Sequence, residues 1–146
     1  MSDENSKTGS RMHHVNLGVP TGGVPAEIEF LTTIVGLTEA TDKKARATAM
    51  LARNNPPIIV PPETVLWYED GDGFEVHLTE DPNHHPAEKA HVAFVVGEAL
   101  QDIEAELGRR GVATTELLSV PELRVLATTD PAGNVWEFRG RNKEHG

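Results

Sequence analysis

The strongest constraint on the fold is an internal repeat. His14-Val-Asn-Leu-Gly-Val19 and His91-Val-Ala-Phe-Val-Val96 are each a histidine followed by a run of strand character, 77 residues apart. Apolar residues at helical spacing follow in both places. They are Ile28, Leu31 and Val35 in the first copy, and Leu100, Ile103 and Leu107 in the second. Both triplets fall at i, i+3 and i+7, so each shares one helical face. The offset there is 72, and Gly36 matches Gly108 at the same offset.

Further along, the offset settles at 60. Val65-Leu-Trp-Tyr-Glu-Asp70 parallels Val125-Leu-Ala-Thr-Thr-Asp130. The tight-turn sequences Asp70-Gly-Asp-Gly73 and Asp130-Pro-Ala-Gly133 follow. Then Phe74-Glu-Val-His-Leu78 parallels Asn134-Val-Trp-Glu-Phe138. The chain therefore reads as two copies of strand, helix and further strands ending in a hairpin. A third strand in each copy is expected at residues 48–52 and 114–118. The first copy is longer by 5 residues before its helix and by 12 within 37–64, the stretch that carries Pro56-Pro57 and Pro61-Pro62.

The repeat sets a potential ligand at four equivalent places: His14 and His91 on the first strands, His77 and Glu137 on the last. Strand alternation assigns their faces. Val15, Leu17 and Val19 want the core, so His14, Asn16 and Gly18 point the other way. Val92, Phe94 and Val96 likewise oppose His91. His77 shares a face with Glu75 and Thr79, opposite Val76 and Leu78. Glu137 shares one with Val135 and Arg139, opposite Trp136 and Phe138. All four candidates lie on the face away from the helices. Two such sheets curling together would gather three imidazoles and one carboxylate, a donor set for a divalent first-row metal.

Composition narrows the chemistry. With no cysteine, disulfides, zinc–thiolate sites, iron–sulfur clusters and a catalytic thiol are excluded. Lys plus Arg is 13 against Asp plus Glu 23, a net charge of −10. That balance argues against nucleic acid and against an anionic membrane surface, and no apolar run reaches the roughly 18 residues that span a bilayer. Residues 1–11 are polar and are expected to form a disordered tail rather than a signal peptide, which implies a cytoplasmic protein. His13 is read as structural, on the core side or at the strand entry, and His84 and His85 as solvent-exposed in a proline-flanked connector. His145 lies in the tail.

These residues bring the chain to a known group. The repeated His-x-x-[Leu/Phe]-x-Val strand, the Asp-Pro-x-Gly-x-x-x-Glu-[Phe/Leu] ending and the helix after each first strand resemble the vicinal oxygen chelate superfamily. Glyoxalase I, methylmalonyl-CoA epimerase, fosfomycin-thiol transferases, extradiol dioxygenases and bleomycin-binding proteins belong to it. The resemblance spans roughly residues 12–139 and is most specific at Asp130-Pro-Ala-Gly-Asn-Val-Trp-Glu137. It implies an α+β fold of tandem βαβββ modules forming a cupped mixed sheet: one domain over residues 12–141, with module 1 about 12–81 and module 2 about 89–140. It also implies a homodimer.

The resemblance assigns His14, His91 and Glu137 as metal ligands and puts His77 where glyoxalase I and the epimerases carry a fourth, usually Glu or Gln. The implied cofactor is Zn, Ni, Co, Mn or Fe(II). The implied activity is lyase or isomerase chemistry on a small substrate that presents adjacent oxygens, with Glu137 or His77 moving the proton. Two alternatives accompany it. One is an Fe(II)-dependent extradiol-type dioxygenase in which His77 is the acid/base. The other is a binding protein that sequesters an antibiotic without turnover. One of Trp67 and Tyr68 should face the cup and the other the core. Trp136 should be core, and Arg124 and Arg139 could meet a carboxylate or phosphate.

Overall fold

The computed structural model describes residues 11–58 and 65–143. Residues 1–10 of the expected 1–11 tail, His145 and the second proline pair lie outside the described residues. The strands are β1 (His14–Val19), β2 (Thr38–Glu39), β3 (Val65–Glu69), β4 (Glu75–Glu80), β5 (His91–Gly97), β6 (Thr115–Val120), β7 (Leu123–Thr129) and β8 (Val135–Gly140). The helices are α1 (Val24–Glu29), which continues as a π-helical segment at Phe30–Val35, then α2 (Thr41–Ala52) and α3 (Leu100–Arg109).

Two four-stranded sheets result, ordered β1-β4-β3-β2 and β5-β8-β7-β6. The first and last strands of each copy pair in parallel, and the other pairs are antiparallel. The registers reproduce the sequence offsets. His14 pairs with Glu75 as His91 pairs with Val135, and Asn16 pairs with His77 as Ala93 pairs with Glu137. Trp67 flanks His77 as Ala127 flanks Glu137. The duplication is therefore physical, and the fold is α+β with two βαβββ units.

Two local expectations change. The third strand expected at 114–118 forms as β6, but residues 48–52 belong to α2, and the first copy's third strand is the short β2. Ala45, Ala47, Ala49 and Ala52, set among Lys43, Lys44 and Arg46, favour helix and leave no β-branched run to oppose it. The first helix also departs from its spacing. The wider π turn rotates the chain, so Phe30, Leu31 and Ile34 are buried while Ile28 and Val35 only pack against the core. Gly36 ends that segment at φ 85°, in the left-handed region that suits glycine. In α3 the expected face holds, with Leu100, Ile103 and Leu107 all buried.

One core serves both units. Val76 and Leu78 of the first sheet and Trp136 and Phe138 of the second are all buried in it. Ring contacts cross between the units: Phe30 to Trp136 at 5.5 Å and Phe74 to Phe94 at 5.6 Å. Each sheet turns its apolar face inward, so the two polar faces point away from the common core. The connector between the units is pinned by His84, contrary to the exposure expected of it. Its Nε2 pairs with the Ala132 carbonyl at 2.9 Å, and its ring lies over Gly18, where a Cβ would come within 2.7 Å of Nδ1. Only glycine admits that close approach. His85 is exposed, as expected.

Glu27 of α1 is fully buried at this junction beside Asp130 and the Ala132 backbone, and among the described residues neither carboxyl oxygen meets a partner in full hydrogen-bond geometry. Burial, reinforced by the nearby Asp130 carboxylate, pushes its pKa up to about 10. The folded chain keeps this proton where the unfolded chain loses it near 4.5. The contribution is therefore fully favourable below about pH 4.5 and is lost as pH rises toward 10, with a limiting slope of about 1.4 kcal/mol per pH unit. Glu27→Gln should flatten the fall in unfolding free energy between pH 5 and pH 9, measured by urea titration. An unchanged slope would show that Glu27 ionises freely in the folded state.

Candidate metal centre

The polar face of each sheet carries one pair of candidates, set diagonally across adjacent strands. On the first sheet, His14 of β1 and His77 of β4 stack at 4.2 Å between ring centroids, 8° from parallel. Trp67 of β3 stacks on the other side of His77 at 4.4 Å and 6°. Three rings from three neighbouring strands thus form one pile with His77 in the middle. On the second sheet, His91 Nε2 and Glu137 Oε1 stand 3.4 Å apart.

Hydrogen bonds orient the imidazoles. His77 Nε2 meets Glu75 Oε1 at 3.1 Å. Glu75 is almost fully buried, and His13 Nε2 lies 3.7 Å from its other oxygen. His13 is therefore exposed at the entry to β1 beside His14, the second of its two expected placements, and not on the core side; their Nδ1 atoms are 2.9 Å apart. Burial holds the His77 imidazole below its usual range, outweighing the opposing pull of Glu75. His91 Nδ1 faces the Lys89 carbonyl at 3.3 Å. With the proton on Nδ1, donated to that carbonyl, Nε2 presents its lone pair toward Glu137.

The two pairs differ in their fit to a metal. Two donors bound to one ion at about 2.1 Å stand about 3.0–3.4 Å apart, and the His91–Glu137 separation matches that edge. The stacked rings do not match it, because an ion in the plane of one lies far out of the plane of the other. As they stand, only one of His14 and His77 can bind a given ion. His77 is the one engaged by Glu75, which leaves Nε2 of the exposed His14 as the donor. Among the described residues, no three His, Asp or Glu side chains gather into a metal-holding group. Within one chain the His14–His77 pair and the His91–Glu137 pair therefore do not join into one metal-holding group.

The surroundings also differ. His77 is flanked in register by Asn16 and Trp67, whereas Glu137 is flanked by Ala93 and Ala127. Small methyl groups therefore flank Glu137, and a ring pile surrounds its counterpart. Asn16 accepts a hydrogen bond from Thr79 at 3.0 Å beside the pile. Trp67 is the aromatic on the polar face and Tyr68 the one in the core, resolving the expected pair. The Trp67 indole N–H is buried without an acceptor. Trp136 is buried, as expected. Arg124 is buried and held by Glu104 and Glu116, so it is not available to a ligand. The structural weight of Glu75 was not anticipated; its only signal in sequence is its place two residues before His77, on the same strand face.

No protein-family model matches the sequence, and no curated protein matches it. Solved structures do match over nearly the whole chain. A glyoxalase/dioxygenase from Nostoc punctiforme is 24% identical, with 90% of each chain covered and a TM-score of 0.69. A genomically encoded fosfomycin resistance protein from Listeria monocytogenes is 17% identical, covering 94% of this chain and 98% of that one, at TM-score 0.65. A variant of that protein has been solved with Mn(II) and 1S,2S-dihydroxypropylphosphonic acid. An antibiotic binding protein from Streptomyces is 18% identical, covering 92% and 98% of the two chains, at TM-score 0.61. No helix among the described residues is long and apolar enough to cross a membrane. The duplicated βαβββ chain thus has the fold of the glyoxalase and vicinal oxygen chelate proteins.

Proposed function

We propose that this chain is a divalent-metal-dependent enzyme of the vicinal oxygen chelate superfamily, acting as a lyase or isomerase on a small substrate with adjacent oxygens. The observation that carries the reading is the His91–Glu137 pair, spaced as two ligands of one ion and oriented through the Lys89 carbonyl. We assign the third ligand to His14 of the partner subunit, because among the described residues no third His, Asp or Glu joins the His91–Glu137 pair. The working form is thus a homodimer with two shared sites. Val95, Leu118 and Val120 are large apolar side chains exposed on β5 and β6, and a second copy would cover them.

A divalent ion in this site would polarise the two adjacent oxygens of a bound substrate. Glu137, lying between two alanines, would receive a proton from a substrate held beside it. His77 is fixed by the ring pile and by Glu75, and moves a proton through its remaining nitrogen or turns to become a fourth ligand. A second reading, Fe(II)-dependent ring cleavage, draws on the same geometry: two histidines and one carboxylate hold the ion while His77, bound to Glu75, stays outside the ligand set. A binding protein without turnover is the third reading, favoured by the orphan Trp67 N–H and the ring pile.

Metal analysis separates them. The first reading expects stoichiometric Ni, Co, Mn or Zn. The second expects air-sensitive Fe(II) and oxygen uptake. The third expects no metal and tight binding of an aromatic ligand. His14→Ala and Glu137→Ala should each strip most of the metal and leave the far-ultraviolet circular dichroism unchanged. Full metal retention in both variants would overturn the metal reading.

A further inference from the structure

The second sheet's polar face carries a guanidinium whose position has no structural purpose of its own. Arg139 follows Glu137 by two residues on β8, so both side chains take the same face, about 6.7 Å apart along the strand. The arginines around it are committed. Arg109 pairs with Glu106, Arg110 with Glu29 and Glu106, Arg124 with Glu104 and Glu116, and Arg141 with Glu98. Among the described residues, the carboxylate paired with Arg139 is Glu137, with Oε2 at 4.0 Å, beyond hydrogen-bond range. In a chain of net charge −10, that is a loose pairing for an arginine.

Its setting is apolar. The row across the sheet at this level runs Leu118, Val125, Arg139, Val95, so valines flank it on both sides. A cavity of about 520 Å³ opens there, with Val95 and Leu123 in its wall, Arg139 and Arg141 on its rim, and Glu122 as its acidic group. The Arg139 side chain is 40% exposed, so its guanidinium is open to an anion, and its planar fork suits a bidentate carboxylate or phosphate.

We infer that Arg139 binds an anionic group of the substrate, a carboxylate or a phosphate, carried a few bonds away from the oxygens that face Glu137. This inference rests on the metal reading of His91 and Glu137 and adds the substrate class: a small molecule with adjacent oxygens at one end and an anion at the other. The alternative is that Arg139 merely screens Glu137.

The test compares ligands that differ only in the terminal anion, using metal-loaded protein and calorimetry. Lactate against malate adds a carboxylate, and glycerate against 3-phosphoglycerate adds a phosphate. In the wild type, at least one added anion should tighten binding about tenfold or more. Arg139→Met should abolish that gain, and Arg139→Lys should keep part of it. Metal content should be equal in all three proteins. A gain confined to one pair identifies the anion. No gain in the wild type, or an undiminished gain in Arg139→Met, overturns the inference and leaves the metal reading intact. Loss of metal from Arg139→Met would favour the screening role and also overturn it. Absence of metal from the wild type would instead sink the underlying reading.

Discussion

Refolding the His14→Ala and Glu137→Ala chains together in equal amounts is expected to restore about a quarter of the wild-type metal sites, although each variant alone holds almost none. The number follows from counting. Random pairing makes about half of the dimers mixed. In each mixed dimer, one site combines the intact His91–Glu137 pair of the first chain with His14 of its partner, and the other site lacks both. The opposite arrangement, a site closed within one chain, predicts no recovery, because every chain then carries a broken site. Metal content after size-exclusion chromatography decides between them. Dimers that form yet bind no metal would refute sharing.

The second large effect is on stability. Asp130→Ala should destabilise the fold by about 3–5 kcal/mol, because three donors lose their acceptor in a dry setting. Asp130 Oδ1 accepts from the backbone N–H groups of Ala132 and Asn134, both at 2.9 Å, and Oδ2 accepts from Trp136 Nε1 at 2.9 Å. The repeat supplies a control. Asp70 makes the same turn in the first unit, accepting from the N–H groups of Asp72 and Phe74, but it is exposed and has no tryptophan to hold. Water replaces its lost bonds, so Asp70→Ala should cost only about 1 kcal/mol. Equal losses in the two variants, by chemical denaturation, would show that the Trp136 contact is energetically idle.

Much of the architecture was legible because duplication writes the same physics twice. A hairpin turn needs an acceptor and a glycine, and Asp70 with Gly73 and Asp130 with Gly133 announce it at one offset. Strand alternation placed His14, Asn16, His77 and Thr79 on one face, and contacts among those side chains bear this out. Less was legible where tertiary context outweighs local pattern. An alanine-rich insertion is free to be helix or strand until its ends are fixed, and here it became α2. A π turn moves a buried face by one residue without altering composition. His84 looked like solvated connector because the glycine that receives its ring is 66 residues away in the chain. That the two candidate pairs form no single donor group within one chain was also not readable. The repeat gives each sheet its polar face, but only packing decides whether those faces meet inside one chain.

The alanines beside Glu137 have a consequence for how such a protein could diversify. On the first sheet the corresponding neighbour is a tryptophan whose ring locks the central side chain in place. On the second the neighbours end at a methyl group. The surroundings of the carboxylate can therefore be altered by exchanging Ala93 or Ala127 alone, with neither His91 nor the hydrophobic interior replaced. On the proposed reading, substrate choice and fold integrity would then lie on opposite faces of the same strands, leaving the former free to drift while the latter stays fixed.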